Sequence, residues 1–158
     1  MNNPLAIVPL LLKTKRPSRT PDMRAVTCKF WVRKGYDALT LFGTIITRSQ
    51  ETADLFNQRH DALKHHEMIH LKQAMACHDS WLCFYILYIW YYLRALPYNR
   101  KMRNAAYWLN PFEMEAYAHD RDLGYADRHA AGANEWRQFA RMTMAERRRK
   151  MAEVLRTA

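Results

Sequence analysis

The sequence lacks the cysteine patterns of a disulfide-rich protein or of a cysteine-ligated metal site. It has only three cysteines in 158 residues, Cys28, Cys77 and Cys83, and no two of them form a C-x-x-C pair. A small and odd number of cysteines is typical of reduced thiols. We therefore expect a cytoplasmic protein, because thiols stay reduced in that compartment.

Three further features are missing. The sequence contains no internal repeat or low-complexity tract, and its first residues have neither the basic start nor the small-residue cleavage site of a signal peptide. The uncharged run 81–93 is too short to span a bilayer, which needs about 20 apolar residues. About half of the 158 residues are apolar, which is enough to bury the core of one domain.

The segment 66–70 reads H-E-M-I-H, the H-E-x-x-H spacing of a zinc-binding helix. Residues four apart lie on one helical face, so the imidazoles of His66 and His70 can converge on one ion. Glu67 is then the candidate general base beside the metal. Apolar residues flank the motif, and Asp61 can cap the helix. The alternative is that these histidines are ordinary polar residues on a solvated helix.

A catalytic zinc site needs a third protein ligand, and the segment 110–120 offers several candidates. Pro111 suits the first turn of a helix, and no proline or glycine follows until Gly124. On such a helix Glu113 and Glu115 point to nearly opposite sides, because two residues correspond to about 200° of rotation. Only one of these two carboxylates can therefore face the metal.

The companions of Glu113 favour it as the third ligand. Tyr117 and Asp120 follow Glu113 at i+4 and i+7, so they share its face, and either one can orient a ligating histidine through its free N–H group. Glu115 as the ligand would leave both companions on the wrong side. Without the H-E-x-x-H motif, the same segment would be interpreted as an amphipathic helix with two acids near its positive end.

Residues 39–122 resemble the zincin-type metallopeptidases called gluzincins, in which the two histidines of H-E-x-x-H and a later glutamate bind zinc. The segments 66–73 and 111–117 read H-E-M-I-H-L-K-Q and P-F-E-M-E-A-Y. They are similar to an uncharacterised bacterial group of short zinc peptidases, which pairs H-E-x-I-H-x-x-Q with F-E-x-E-A-Y. The resemblance implies a zincin-like fold and zinc-dependent cleavage of peptides.

The resemblance also implies roles for individual residues. Related families place the ligating glutamate three residues before an alanine, and this register selects Glu113. Tyr117 stands where those families carry Asp or Asn, so Tyr117, Asp120 or His119 is left to support a ligand. Gln73, seven residues after His66, shares the metal-facing side and can support a ligand, contact substrate or cap a local backbone group. A donor for the oxyanion is expected from Tyr117, His119 or a residue that the sequence does not identify.

Two β-rich segments precede the motif. The run 26–32 alternates apolar and other residues as a strand does, 34–37 is typical of a turn, and a second β-rich run covers 39–47 with Gly43 as a bulge or a point of close backbone approach. The resemblance implies that the strand before the active-site helix is a sheet edge that binds extended substrate. The alternative is that 44–47 simply completes a small sheet.

Two other helical segments bear on the choice of partners. We expect 81–93 to be a core helix behind the active-site helix, with contact between its aromatic face and a membrane surface as the alternative. The segment 134–156 is basic and helical, and the net charge is +10. No recognised nucleic-acid-binding fold accompanies this charge, so we do not expect direct nucleic-acid binding.

Together these features predict an α+β, zincin-like single domain with a small antiparallel sheet, an H-E-x-x-H active-site helix, a hydrophobic helix and a glutamate helix. We expect an N-terminal segment at 1–24, a metallopeptidase core at 25–125, and a basic helical extension packed on it at 126–158. The predicted function is zinc-dependent hydrolysis of a peptide or protein substrate. The alternatives are an inactive zinc-binding scaffold and a basic helical module that binds membranes or nucleic acid. The sequence does not decide the oligomeric state.

Overall fold

A three-stranded mixed sheet forms the first part of the fold. The computed structural model describes residues 16–20, 23, 25–32, 38–58 and 62–157, and for 62, 63 and 157 the backbone alone. Strands β1 (Ala25–Thr27), β2 (Ala38–Leu41) and β3 (Thr44–Thr47) lie in the order β1-β3-β2. The central strand β3 is antiparallel to β2 but parallel to β1. The predicted antiparallel sheet is therefore wrong for β1, which does not join β3 through a tight turn.

The first predicted strand is shorter than its alternating pattern indicates. After Thr27 the chain makes one more sheet-like bond, from Cys28 N–H to the Thr47 carbonyl at 2.8 Å, and then turns. Cys28 and Val32 are both buried and pack against Ile46. A turn has brought these two side chains to one side of the chain, so their burial does not require an extended strand through position 32. The predicted turn at 34–37 lies outside the described residues.

The second β-rich run is a hairpin and not one strand with a bulge. Phe42 and Gly43 both have positive φ angles, 49° and 74°, as the two-residue turn that best matches strand twist requires. The prediction of a bulge at Gly43 is therefore wrong. A Cβ atom at Gly43 would lie 2.7 Å from Thr20 Cγ2 and 3.1 Å from the Trp81 ring, so the site is closely packed as well as turned.

The hairpin places β2, and not β3, at the sheet edge. All four residues of β3 are buried, and β3 is paired on both sides, so the strand that immediately precedes the helices cannot accept an extended substrate. The outer side of β2 has no strand partner among the described residues. Tyr85 attaches the hairpin to the hydrophobic helix, since its hydroxyl accepts a hydrogen bond from Phe42 N–H at 2.9 Å.

Eight α-helices follow the sheet in the described part of the chain. They are α1 (Gln50–Gln58), α2 (Ala62–Ala76), α3 (Trp81–Ala95), α4 (Ala105–Trp108), α5 (Pro111–His119), α6 (Tyr125–Arg128), α7 (Trp136–Arg141) and α8 (Met144–Thr157). The main core joins the sheet to α2 and α3. None of the described helices combines the length and apolar character needed to cross a membrane.

Three predicted helices are confirmed, and local caps explain where two of them begin. The motif lies within α2, the hydrophobic run forms α3, and the glutamate segment forms α5 from Pro111 onward. The hydroxyl of Ser80 accepts a hydrogen bond from Cys83 N–H at the start of α3, and Asn110 accepts one from Phe112 N–H at the start of α5. The proposed cap of α2 at Asp61 lies outside the described residues.

The basic C-terminal segment is two helices, α7 and α8, where the sequence predicts one. Met142 is extended between them, and Thr143 and Glu146 form a reciprocal capping box, with Thr143 N–H to Glu146 Oε2 at 2.7 Å and Glu146 N–H to Thr143 Oγ1 at 3.3 Å. A capping box starts a helix by satisfying its first backbone N–H groups. It therefore begins α8 after a break, although the basic composition continues through both helices.

Arg147 ties α8 to the start of the glutamate helix. Its side chain is buried, and it donates to the Phe139 carbonyl at 2.8 Å, to the Ala140 carbonyl at 2.8 Å and to the Leu109 carbonyl at 3.1 Å. These carbonyls lie near the ends of α7 and α4, where the helices leave carbonyl groups unsatisfied. The guanidinium thus links α7 and α8 to the residue two positions before α5.

Gly132→Ala should destabilise the fold by about 2–4 kcal/mol, from backbone strain and a clash together. Gly132 has a φ of 130°, and its added Cβ would lie 2.8 Å from the backbone nitrogen of Ala76 at the end of α2. Gly124→Ala is the matched control, because Gly124 has a φ of −85° and its added Cβ would meet side-chain atoms alone, the nearest being the flexible end of Arg128 at 2.7 Å. Denaturant unfolding measures both; equal stability of the two variants would contradict this packing.

Candidate metal centre

His66, His70 and Glu113 converge where α2 packs against α5. The ligand atoms that these three side chains offer all lie within 4.8 Å of one another, and all three side chains are buried. His66 Nε2 is 3.3 Å from Glu113 Oε2, and His70 Nε2 is 3.5 Å from Glu113 Oε1. Ligand atoms at about 2.1 Å from a tetrahedral zinc ion lie roughly 3.4 Å apart. These two spacings therefore suit zinc.

One oxygen of the carboxylate is left without a hydrogen bond. The Tyr88 hydroxyl donates to Glu113 Oε1 at 2.6 Å, whereas Oε2 is buried and has no hydrogen-bond partner in the described part of the chain. A buried polar atom without a partner costs free energy. Two imidazole nitrogens and one carboxylate oxygen are a common zinc donor set, so an ion at this point fits the residues present.

Gln73 fixes the orientation and the tautomer of His70. Its amide nitrogen donates to the Phe112 carbonyl at 2.9 Å and to Glu115 Oε2 at 2.7 Å, and both of these atoms act as acceptors. The amide oxygen must then be the atom that faces His70 Nδ1, at 2.8 Å. His70 therefore carries its hydrogen on Nδ1, and Nε2 of the neutral ring presents a lone pair toward Glu113, as a ligating histidine requires.

Glu115 is buried on the opposite side of α5, and its oxygens are already occupied. Oε2 accepts from Gln73, and Oε1 accepts from the Tyr125 hydroxyl and from the Glu135 backbone N–H, each at 2.8 Å. These donors come from three different parts of the chain. Glu115 therefore joins α2, α6 and the residue before α7, and the helix rotation inferred from sequence agrees with its position away from the two histidines.

The pKa values of His70 and Glu113 move in opposite directions. Burial alone would lower the pKa of His70, but the Glu113 carboxylate raises it by more, to about 9. Burial alone would raise the pKa of Glu113, but the charge of His70 and the contacts with both imidazoles lower it far below its usual range. In the metal-free protein near neutral pH, a protonated His70 therefore faces an ionised Glu113.

An open cleft of about 430 Å³ leads to the three side chains. One wall is the whole of β2, Ala38–Leu41, and another is the inner face of α3. Glu67 lines the same cleft next to His66 and His70 and is partly exposed. The motif helix thus presents its histidines to the interior and its glutamate to the open space in front of them.

Tyr107 also lines the cleft, although no sequence pattern indicated it. Its hydroxyl is 3.0 Å from the hydroxyl of Tyr117. Burial raises the pKa of Tyr107 far above its usual range, so its hydroxyl stays protonated and able to donate. Tyr107 and Tyr88 were both missed because a tyrosine among many aromatic residues has no spacing that marks its hydroxyl as part of a site.

The remaining candidate residues lie at different distances from the triad. Tyr117 packs its ring edge against His66, with centroids 4.6 Å apart, and thus contacts a predicted ligand. His119 stacks on Tyr125 at 3.9 Å and pairs with Glu135 at 3.0 Å, and neither His119 nor Asp120 lines the cleft. The residue that orients His70 is Gln73, which the sequence offered for such a role beside Tyr117, Asp120 and His119.

The chain was compared with models of protein families, with curated proteins and with solved structures, and none of them matches it.

Glu113→Gln should lower zinc affinity by at least about tenfold, because the variant loses the charge of a ligand. Glu115→Gln makes the same chemical change on the other side of α5, and it should leave zinc affinity within a few-fold. It should instead lower the free energy of unfolding by about 1–3 kcal/mol. Gln73, Tyr125 and the Glu135 backbone donate to both oxygens of Glu115, whereas a glutamine side chain offers only one acceptor oxygen. Metal titration and metal-free unfolding measure the two effects. If Glu115→Gln lost zinc affinity and Glu113→Gln kept it, the metal would lie on the other face of α5.

Zinc affinity should rise about tenfold per pH unit from about pH 7 until the pKa of His70, about 9, is passed. Zinc binds only the neutral imidazole, so one proton leaves His70 as the ion binds. The metal-free fold should lose stability over the same range, because a group with a raised native pKa stabilises the fold only while it is protonated.

The pH series should be run on wild type and on His119→Gln. His119 lies outside the cleft, so this variant should keep the wild-type slope. Zinc affinity that is flat between these pH values would show that His70 is not protonated in the metal-free protein.

Proposed function

We propose that this protein is a zinc-dependent peptidase. The observation that carries the proposal is the buried group of His66, His70 and Glu113 at the end of a cleft that also exposes Glu67. The Glu113 oxygen nearest His66 has no hydrogen bond in the described part of the chain. His66, His70 and Glu113 would hold the ion. A bound zinc ion supplies Lewis acidity toward a carbonyl oxygen and toward water.

Glu67 is the general base and then the general acid in this proposal. Its carboxylate accepts a proton from water as the water oxygen forms a bond to the carbonyl carbon of the scissile peptide. When the C–N bond breaks, Glu67 gives that proton to the leaving amine, so the products are a carboxylic acid and an amine. The position of Glu67 at the cleft surface supports this role, because a proton carrier must reach both water and substrate.

Tyr107 is the proposed donor to the developing oxyanion. Its protonated hydroxyl lies in the lining of the cleft, and the hydroxyl of Tyr117 holds it at 3.0 Å. Preorganised donors of this kind stabilise the charge that develops on the carbonyl oxygen. Tyr117, which the sequence nominated, thus acts on the substrate through Tyr107 and on the metal centre through the ring of His66.

The proposed substrate is an extended peptide that adds to β2. This strand forms a cleft wall along its full length, and its outer edge has no strand partner among the described residues. Strand addition recognises backbone N–H and carbonyl groups first and side chains second. The apolar and aromatic residues on the facing wall, including Phe84 and Ile89, favour apolar side chains next to the scissile bond.

Glu67→Gln should abolish most peptide hydrolysis while the zinc content stays at the wild-type value. Glutamine has nearly the shape of glutamate but cannot accept the proton, and general base catalysis contributes about 10²–10⁴-fold to rate. The measurement is turnover of a mixed peptide library by the zinc-loaded protein, with metal content determined on the same samples.

Glu51→Gln is the matched control, because Glu51 is an exposed glutamate at the start of α1. This control should keep the wild-type rate and zinc content. Wild-type protein that holds one zinc ion and cleaves no peptide would overturn the proposed activity and favour a zinc-binding scaffold. Equal rates for wild type and Glu67→Gln would remove Glu67 from the mechanism.

A further inference from the structure

The outer face of α3 is a row of large apolar side chains in contact with solvent. Leu82, Ile86, Ile89, Trp90 and Leu93 are between 53% and 70% exposed. Their spacing of three and four residues places them on one side of the helix. We call these five residues the apolar ridge. Scattered exposed apolar residues are ordinary on a protein surface, whereas a contiguous row marks a site of interaction.

Positive charge is concentrated at the C-terminal end of the ridge. Arg94, Arg100, Lys101 and Arg103 are all exposed there, and Arg94 lies 6.0 Å from the ring of Trp90. From Ser80 to Phe112 the sequence contains no aspartate or glutamate. The ridge and its end therefore combine apolar surface with positive charge, and their own segment supplies no acidic side chain.

A groove of about 900 Å³ continues this charge onto α8. Lys101 lines one side of the groove, and Arg148 and Arg149 line the other. The described residues that line it include no acidic side chain. The cationic end of the ridge thus has contributions from two separate parts of the chain, and we call these six residues, Arg94, Arg100, Lys101, Arg103, Arg148 and Arg149, the basic end.

We propose that the apolar ridge and the basic end bind the surface of an anionic lipid bilayer. A helix that presents apolar side chains flanked by arginine and lysine lies in the plane of the bilayer surface, with its apolar side among the acyl chains and its cations at the headgroups. The exposed Trp90, Tyr92 and Tyr98 add amphipathic aromatic rings, which favour this same interfacial depth.

Charge favours a lipid surface over a second copy of the chain. A second copy that covered the ridge with its own ridge would bring two sets of the cations Arg94, Arg100, Lys101 and Arg103 to one interface, and segment 80–112, to which they belong, has no carboxylate with which to pair them. An anionic headgroup layer supplies the missing negative charge without any fixed partner geometry. Binding at the surface is also compatible with the length of α3, which at fifteen residues is too short to cross the bilayer.

Binding in this orientation would bring the cleft close to the lipid surface. Ile89 belongs to the ridge and also lines the cleft in front of His66 and His70. The lipid-binding face and the cleft mouth therefore meet along α3. The protein would then meet its substrates near the lipid surface. Lipid binding itself does not depend on the proposed peptidase activity.

The test is sedimentation of the full chain with vesicles of phosphatidylcholine alone or of phosphatidylcholine mixed equally with phosphatidylserine. We expect binding to the mixed vesicles, weak binding to phosphatidylcholine alone, and weaker binding at high salt, because salt screens the attraction to headgroups. Substitution of three ridge residues by glutamine should lower the partition coefficient between vesicles and water by at least about tenfold. The ridge variant combines Leu82→Gln, Ile86→Gln and Leu93→Gln.

Its control removes three exposed leucines elsewhere on the surface and should bind as wild type does. This control combines Leu55→Gln, Leu123→Gln and Leu155→Gln. A charge variant at the basic end should also lose at least about tenfold in partition. It combines Arg100→Gln, Lys101→Gln and Arg103→Gln, and its control removes equal charge from exposed sites elsewhere with Arg19→Gln, Lys29→Gln and Arg121→Gln.

Two results would overturn the proposal. The first is a negative result with the mixed vesicles: either wild type does not bind them, or wild type, the ridge variant and the charge variant bind them equally. The second is self-association of wild type in solution that the ridge variant abolishes while vesicle binding is absent, because a second copy would then cover the ridge. All substituted side chains are exposed, and the charge variant leaves the ridge intact, so it tests the proposal independently if the ridge variant folds poorly.

Discussion

An ionised carboxylate buried between two imidazoles is the constraint on which the rest of the site depends. Glu113 is only 3% exposed, and a buried charge costs several kcal/mol unless other groups compensate for it. The hydroxyl of Tyr88 satisfies one oxygen, and the proton on His70 supplies the nearest positive charge in the metal-free protein. A divalent cation at the same point would replace that proton and also reach the second oxygen. The burial of Glu113 thus favours a cation beside the two histidines.

Glu115, the second carboxylate of α5, keeps Glu113 in this buried position. Glu115 has its oxygens occupied by Gln73, Tyr125 and Glu135, so it fixes both the rotation and the position of α5. Rotation of α5 that would remove Glu113 from the histidines would break these three hydrogen bonds together. Gln73 also bonds to His70, so the hydrogen bonds that fix the helix also orient a predicted ligand. Structure and site are therefore held by one connected network of buried polar groups.

The sequence predicted what local helix geometry determines. The H-E-x-x-H spacing and the 200° between Glu113 and Glu115 depend only on 3.6 residues per turn, and the structure brings His66, His70 and Glu113 together. The direction of β1 and the edge position of β2 depend on pairing between distant segments, which periodicity does not contain. The hairpin at Gly43 is local, but it depends on the positive φ angles of Phe42 and Gly43, which periodicity does not indicate either. Tyr88 and Tyr107 were missed for a related reason. The Tyr88 hydroxyl gains a role only from which face of α3 packs inward, and the thirteen uncharged residues 81–93 indicate no such face. The Tyr107 hydroxyl gains a role only from packing against Tyr117 on another helix.

The inner and outer faces of helix α3 bear on the proposed peptidase site and on the proposed lipid binding, respectively. Its inner side carries Tyr85, which anchors the hairpin, and Tyr88, which holds Glu113, so the helix sets the positions of the edge strand and the carboxylate relative to each other. The polar groups of these tyrosines occupy the side that packs on the protein. The purely apolar residues Leu82, Ile86 and Leu93 are left outside, where a helix of a globular protein usually carries polar residues. A helix with such a row of aliphatic side chains on its outer side is suited to an apolar environment there. At fifteen residues it is about 22 Å long, shorter than the roughly 30 Å of a hydrocarbon core, and this length favours a position along the bilayer surface.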